Sequence, residues 1–206
     1  MKLLIILITT LTFTSLAIPA TEEISQDCIN KNVPDSERAF SNTFSGTFNG
    51  KRLEYTASLK EKLLYEKDNP SAPMASFFYT EYIVESDKNR PVIFSFNGGP
   101  GSASLWLHMG VLGPKVIKVP SDASDDGSAP YKIVDNKLSP LSDADLVFID
   151  PIGTGYSRAV GCHEPEEFWG VNEDPKIIAE FIRRWINDNK RWNSPRYILG
   201  ESYGGI

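Results

Sequence analysis

Two short stretches of this sequence hold residue types at spacings suited to covalent chemistry. Gly200-Glu201-Ser202-Tyr203-Gly204 follows the pattern G-x-S-x-G, directly after the apolar run Arg196–Leu199. Glycines two positions either side of the serine let backbone approach without Cβ clashes, so a sharp turn presents the hydroxyl at a strand end. The N–H that follows can face an oxyanion as its charge develops. Ser202 is therefore a candidate nucleophile for acyl transfer. The alternative is a surface serine in a glycine-rich turn. Asn97–Ser102 (NGGPGS) likewise follows an apolar run, Pro91–Phe96. Its three glycines and proline make a tight loop of exposed N–H groups, able to hold an anion or oxyanion. It lacks the G-K-[ST] ending of a nucleotide-phosphate loop. Gly153-Thr154-Gly155 has Arg158 where a dinucleotide fingerprint needs its third glycine, so that reading fails.

Positioning these loops requires strands and helices. Pro91–Phe96 (PVIFSF) and Ala144–Ile149 (ADLVFI) are short, nearly continuous apolar runs, the pattern of strands buried on both faces of a sheet. Arg196–Leu199 (RYIL) reads as a third, expected to be left near a raw edge in this sequence. Asn49-Gly50, flanked by Phe44, Phe48, Leu53 and Tyr55, suits a two-residue hairpin turn. Ser76–Val84 is aromatic and β-branched, and reads as a strand. Ser102–Met109 suits a short helix. The clearest helix spans Asp174–Lys190: Ile177, Ile178, Phe181, Ile182, Trp185 and Ile186 form one apolar stripe. Asp174 is expected to cap it, with Pro175 in its first turn and Arg183, Arg184 and Lys190 opposing its dipole. Strands alternating with helices predict an α/β fold with a largely parallel central sheet.

The 206 residues carry 21 Lys+Arg against 27 Asp+Glu, a net charge of −6, with 41% hydrophobic and 23% charged residues. This is a globular composition. The acidic balance argues against a nucleic-acid partner, because no positive excess exists to displace counterions. Residues 1–20 combine Lys2, an apolar run from Leu3 and small residues at Ser15, Ala17 and Ala20, and read as a secretory signal peptide. The competing reading is an uncleaved anchor, disfavoured by the short apolar core; no membrane span is expected after signal removal. Residues 21–39 read as a flexible leader and 40–206 as the body. The chain has two cysteines, Cys28 and Cys162. In an oxidising compartment they could pair with each other, or with cysteines outside this sequence. Neither has metal-site spacing, so no metal is expected.

Three motifs together resemble the serine carboxypeptidases, peptidases of the α/β-hydrolase fold found in secretory and acidic compartments. They are NGGPGSASL (Asn97–Leu105) with Gly113-Pro114, DLVFIDPIGTGYS (Asp145–Ser157) and GESYGG (Gly200–Gly205). The resemblance covers roughly residues 77–206. It implies a three-layer α/β/α sandwich, no cofactor and a peptide substrate. It makes Ser202 the nucleophile and the N–H groups of Gly99 and Tyr203 the oxyanion hole. Asn97, Gly98 and Glu201 match part of the site that binds the substrate's terminal carboxylate. Two acidic groups facing each other there must share a proton, in keeping with the family's acidic working range.

The sequence also departs from the family pattern. Val111 stands where the family has a second carboxylate-binding glutamate, and valine cannot share a proton with a carboxylate. Ser102 replaces a half-cystine found in many members, and Phe94 a frequent tryptophan. In this fold the catalytic acid and histidine follow the serine, so Asp145, Asp150, His108 and His163 are not expected to form the triad. Asp150 is expected to shape the floor of the site, His108 to be structural or substrate-lining, His163 to be solvent-exposed, and Glu164–Glu167 to be a solvated acidic loop. The reading is thus an exported serine-type carboxypeptidase, with an acyltransferase, an esterase or a non-catalytic fragment as alternatives. The sequence stops four residues past Ser202, so it is expected to be the front portion of a longer enzyme, inactive and poorly stable alone.

Overall fold

A computed structural model describes residues 26–85, 89–119, 122 and 129–205. The expected signal peptide lies outside the described residues. A seven-stranded sheet forms from β1 (Ala39–Phe48), β2 (Lys51–Tyr65), β3 (Pro73–Ile83), β4 (Val92–Phe96), β7 (Asp145–Ile149), β8 (Arg158–Ala159) and β9 (Arg196–Gly200). The order is β1-β2-β3-β7-β4-β9, with β8 pairing β3. The β1–β2–β3–β7 half is antiparallel, whereas β7–β4 and β4–β9 are parallel. A separate two-stranded ribbon joins β5 (Lys115–Ile117) to β6 (Ile133–Asp135).

Local chemistry explains most elements. Asn49 and Gly50 turn the β1–β2 hairpin at φ +46° and +79°, a backbone these two residue types tolerate. β7 is buried at every position and divides its side chains by alternation. Val147 and Ile149 join Phe77, Tyr79, Val92 and Phe94 on one face. Leu146 and Phe148 join Tyr55 and Tyr82 on the other. Helix α3 (Glu173–Asp188) covers the first face with Ile177, Ile178, Phe181, Trp185 and Ile186. At about 1.5–3 kcal/mol per large apolar side chain, this stripe outweighs any end effect on the helix. The other face is covered by Leu141 and by helix α2 (Leu105–Leu107), which runs into a π-helical turn at His108–Leu112 in place of a plain helix to Met109.

RYIL forms β9 with the expected raw edge: among the described residues it pairs β4 alone, leaving Tyr197 and Ile198 58% and 66% exposed. Other expectations are corrected. Asp174 does not cap α3. The helix starts one residue earlier with Asn172 at the cap position, and Asp174 lies inside the first turn. The cations do not serve the helix end: Arg183 and Arg184 both bind Glu180, and Lys190 lies beyond the last turn. Glu164–Glu167 is solvated as expected, with Glu164, Glu166 and Glu167 exposed, but it is a regular turn and not a loop. Pro165–Phe168 form a 3₁₀ turn, with the Glu164 N–H donated to the Glu167 carboxylate.

Cys28 and Cys162 form a disulfide with their Cα atoms 4.9 Å apart. It holds α1 (Gln26–Ile29) to the segment after β8, where Gly161 N–H also donates to Lys31 O at 2.8 Å. Arg38 binds the buried carboxylate of Glu61 at 2.7 Å, so the described residues before β1 are tied down at both ends.

Candidate active site

The two glycine loops meet because of strand order. β4 and β9 are parallel neighbours with Phe96 opposite Gly200, so Asn97 and Glu201 leave the sheet side by side. β7 runs parallel on the other side of β4, and its following loop, Asp150–Ser157, emerges at the same end. All three motifs therefore occupy the carboxyl ends of adjacent parallel strands, where α/β sheets open a crevice for ligands.

Ser202 has φ +56°, a left-handed conformation rare for any residue bearing a Cβ. It heads a 3₁₀ turn, Ser202–Gly205, closed by the Gly204 N–H donating to Glu201 O at 2.9 Å. The turn crowds its own base: a Cβ on Gly200 would run into the Gly204 carbonyl. The serine side chain is exposed. Strain of about 1–3 kcal/mol at such a residue persists only where the surroundings over-determine it.

Those surroundings include the Asn97–Gly101 loop. Asn97 is 2% exposed, and both ends of its amide are used. Its Nδ2 donates to Glu201 Oε2 at 3.1 Å, and its Oδ1 accepts from Leu107 N–H at 3.1 Å. One side chain thus joins the elbow to Leu107, the last residue of α2. Glu201 N–H donates to Phe96 O at 3.3 Å, continuing the ladder one residue past β9. The Gly98 backbone lies directly against the elbow, next to Tyr203 N and Gly204 N. Gly99 and Gly101 have φ +114° and +98°, and Ser102 N–H closes the loop onto Gly98 O at 3.0 Å.

The remaining candidate residues divide cleanly. Asp150 is half-buried, accepts the Ser104 N–H at 2.8 Å and has its pKa raised by burial; it joins the β7 loop to the approach of α2. Asp145 lies at the opposite end of β7 from the motifs, facing Val92 at the start of β4. Fully buried, it binds Arg90 and Arg191. His108 stacks on Phe148 at 4.6 Å between centroids, and its Nε2 bonds to the Tyr82 hydroxyl at 2.6 Å. Burial lowers its pKa to about 4. His163 is not solvent-exposed. Its side chain is 17% accessible, with Nε2 on Glu66 at 3.0 Å and Nδ1 on Glu167 at 2.9 Å. Both histidines are committed to partners other than Ser202. Val111 is 59% exposed on the π-helical turn.

One contact at the elbow has no sequence signal. The Tyr203 hydroxyl donates to Asp174 Oδ2 at 3.1 Å, across 29 residues. The same oxygen accepts Gly170 N–H at 3.2 Å. Between α3 and this end of the sheet lies a cleft of about 790 Å³, lined largely by apolar residues such as Ile152, Trp169, Ile178 and Ile182, with Gly98 and Tyr203 at its wall. Among the described residues no cluster of His, Cys, Asp and Glu is arranged to hold a metal ion, and no helix is long and apolar enough to cross a membrane.

Comparison with known proteins agrees with this arrangement. Serine carboxypeptidase-like 9 of Arabidopsis thaliana is 33% identical over 135 residues, which is 63% of this chain and 29% of that protein. Serine carboxypeptidase-like 2 of the same plant is 30% identical over 132 residues, 61% of this chain and 28% of that protein. The chain therefore matches under a third of the length of these relatives. The peroxisomal alpha-beta-hydrolase Lpx1 of Saccharomyces cerevisiae overlaps 84% of this chain and 39% of its own, at 12% identity and a TM-score of 0.37, too loosely to bear on the assignment. The family model described as serine carboxypeptidase matches residues 57–206, including all three motifs and the strands that carry them. With its glycine loops at the ends of a parallel β7–β4–β9 sheet, the chain belongs to the serine carboxypeptidase family and has the α/β-hydrolase fold.

Proposed function

We propose that the protein is an exported serine-type carboxypeptidase that removes C-terminal residues of peptides through an acyl-enzyme on Ser202. The observation that carries this is Ser202 at φ +56° beside the Gly98–Gly101 loop, at the carboxyl end of β9. Ser202 Oγ attacks the scissile carbonyl and gives its proton to a base. The N–H groups of Gly99 and Tyr203 receive the oxyanion, the amine leaves with a proton, and water releases the acyl group. Asn97, Gly98 and Glu201 face the substrate's terminal carboxylate. His108 and His163 are bound elsewhere, so the base and its acid come from residues outside this sequence. Export rests on the basic and apolar start of the chain, Lys2 with Leu3–Ile8.

Val111 favours a second reading. Exposed and unable to bond a carboxylate, it leaves one partner fewer for a free C-terminus, in keeping with an esterase or acyltransferase. The test uses the full-length enzyme with free peptides, C-terminally amidated peptides and esters. Carboxypeptidase action requires Ser202-dependent cleavage of free peptides and little of amidated ones. Equal cleavage of both sinks it, and turnover of esters alone supports the second reading.

A further inference from the structure

We infer that Asp174 is a positioning residue for the oxyanion hole, acting through the phenol of Tyr203. The inference rests on the function proposed above, in which the Tyr203 N–H receives the oxyanion. Tyr203 is held at two points. Its backbone nitrogen lies against Gly98, and its hydroxyl donates to Asp174 Oδ2 at 3.1 Å. The second point is rigid. Asp174 belongs to the first turn of α3, which is locked to the sheet by Ile177, Ile178, Phe181 and Trp185. Its Oδ2 also accepts the Gly170 N–H at 3.2 Å, and the neighbouring Trp169 donates its indole N–H to Ile152 O at 3.2 Å. Asp174 thus ties the elbow, the helix and the loop after β7 together. Desolvation and the Asp174 carboxylate both raise the Tyr203 pKa, so the phenol keeps its proton and remains the donor.

The physical need is clear. The residue after Ser202 follows a strained turn, and an oxyanion donor works only when its N–H is held to a fraction of an ångström. The ring of Tyr203 is the lever by which that peptide is held, and Asp174 is where the lever is fastened. Neutral bonds to water would satisfy the phenol as well, but they would not fix its place.

The experiment measures kcat and KM of the full-length enzyme per active site, counted by fluorophosphonate labelling of Ser202. Asp174→Ala is expected to lower kcat about tenfold with KM little changed. Tyr203→Phe, which removes only the hydroxyl, should do the same. The double variant should lose no more than either alone, because both break one contact. Asp174→Asn keeps an acceptor oxygen and should recover most of the loss. A purely structural role would reduce the number of labelled sites and leave kcat per site at the wild-type value. That result overturns the proposal, as does an additive double variant. Should Asp174→Ala fail to fold, Tyr203→Phe decides alone: wild-type kcat per site refutes the tether. If Ser202 of the wild-type enzyme does not label, the serine-hydrolase reading itself falls, and Asp174 has no oxyanion hole to serve.

Discussion

Gly98 and Tyr203 approach so closely that a Cβ on Gly98 would lie 2.5 Å from the Tyr203 nitrogen. They belong to loops carried by different strands, β4 and β9, and their contact is where the two glycine motifs become one site. The same Cβ would lie 2.5 Å from Gly204 N and 2.7 Å from Glu201 O, all backbone atoms that cannot rotate away. Gly98→Ala must therefore push the two loops apart. It is expected to cost about 1–3 kcal/mol of stability and at least tenfold in Ser202 labelling rate. Urea melts and fluorophosphonate kinetics on the full-length enzyme check both.

Ser202 carries strain that serves chemistry and not stability. Two inactive variants separate the effects, because both lack the hydroxyl. Ser202→Gly relieves the φ of +56°, whereas Ser202→Ala retains the Cβ. After allowing for the extra unfolded-state freedom of glycine, Ser202→Gly should be about 0.5–1 kcal/mol more stable than Ser202→Ala. Equal melting of the two would show the turn to be relaxed.

The two histidines give opposite pH dependences. Burial opposes charge on His163, but its bonds to Glu167 and Glu66 outweigh that and raise its pKa. Its contribution is full below the unfolded value near 6.5 and is lost as pH rises through the folded value. His163→Gln should therefore destabilise at pH 6 and matter little at pH 9. His108, lowered to about 4 by burial, works the other way. Its penalty begins as pH falls below 6.5 and is complete below about 4, on the order of 3 kcal/mol. His108→Phe keeps a ring on Phe148 and should flatten the acid limb of a stability–pH curve measured by urea melts.

Asp145 is a stability residue. It is 0% exposed and accepts from Val84 N–H at 3.0 Å, Arg90 Nε at 3.0 Å and Arg191 at 2.8 Å. Removing it leaves two guanidinium groups without their anion. Asp145→Ala should cost about 3–5 kcal/mol, measured by urea melts. The labelling rate of the fraction still folded should not change, since Asp145 lies at the far end of β7 from Ser202.

The sequence by itself determined what depends on near neighbours. PVIFSF and ADLVFI have the unbroken apolar runs of buried strands, and they became β4 and β7. The stripe from Ile177 to Ile186 became the face of α3, and Asn49-Gly50 became a hairpin turn. Each is a pattern within about ten residues, set by backbone preference and the wish to bury apolar surface. The glycine loops and Ser202 were legible for the same reason, since turn chemistry is local. Where sequence reading missed, the deciding partner was distant. Asp174 has the look of a cap, yet its carboxylate serves Tyr203, 29 residues on. His163 has the look of a surface residue, yet Glu66, 97 residues earlier, closes over it. Only the tertiary structure decided the order β7, β4, β9 within the parallel part of the sheet. That order brings residues 97–101, 150–157 and 200–204 to one end of the sheet. No local preference encodes it, because strand pairing is chosen by the total burial of both faces, a property of the assembled sheet.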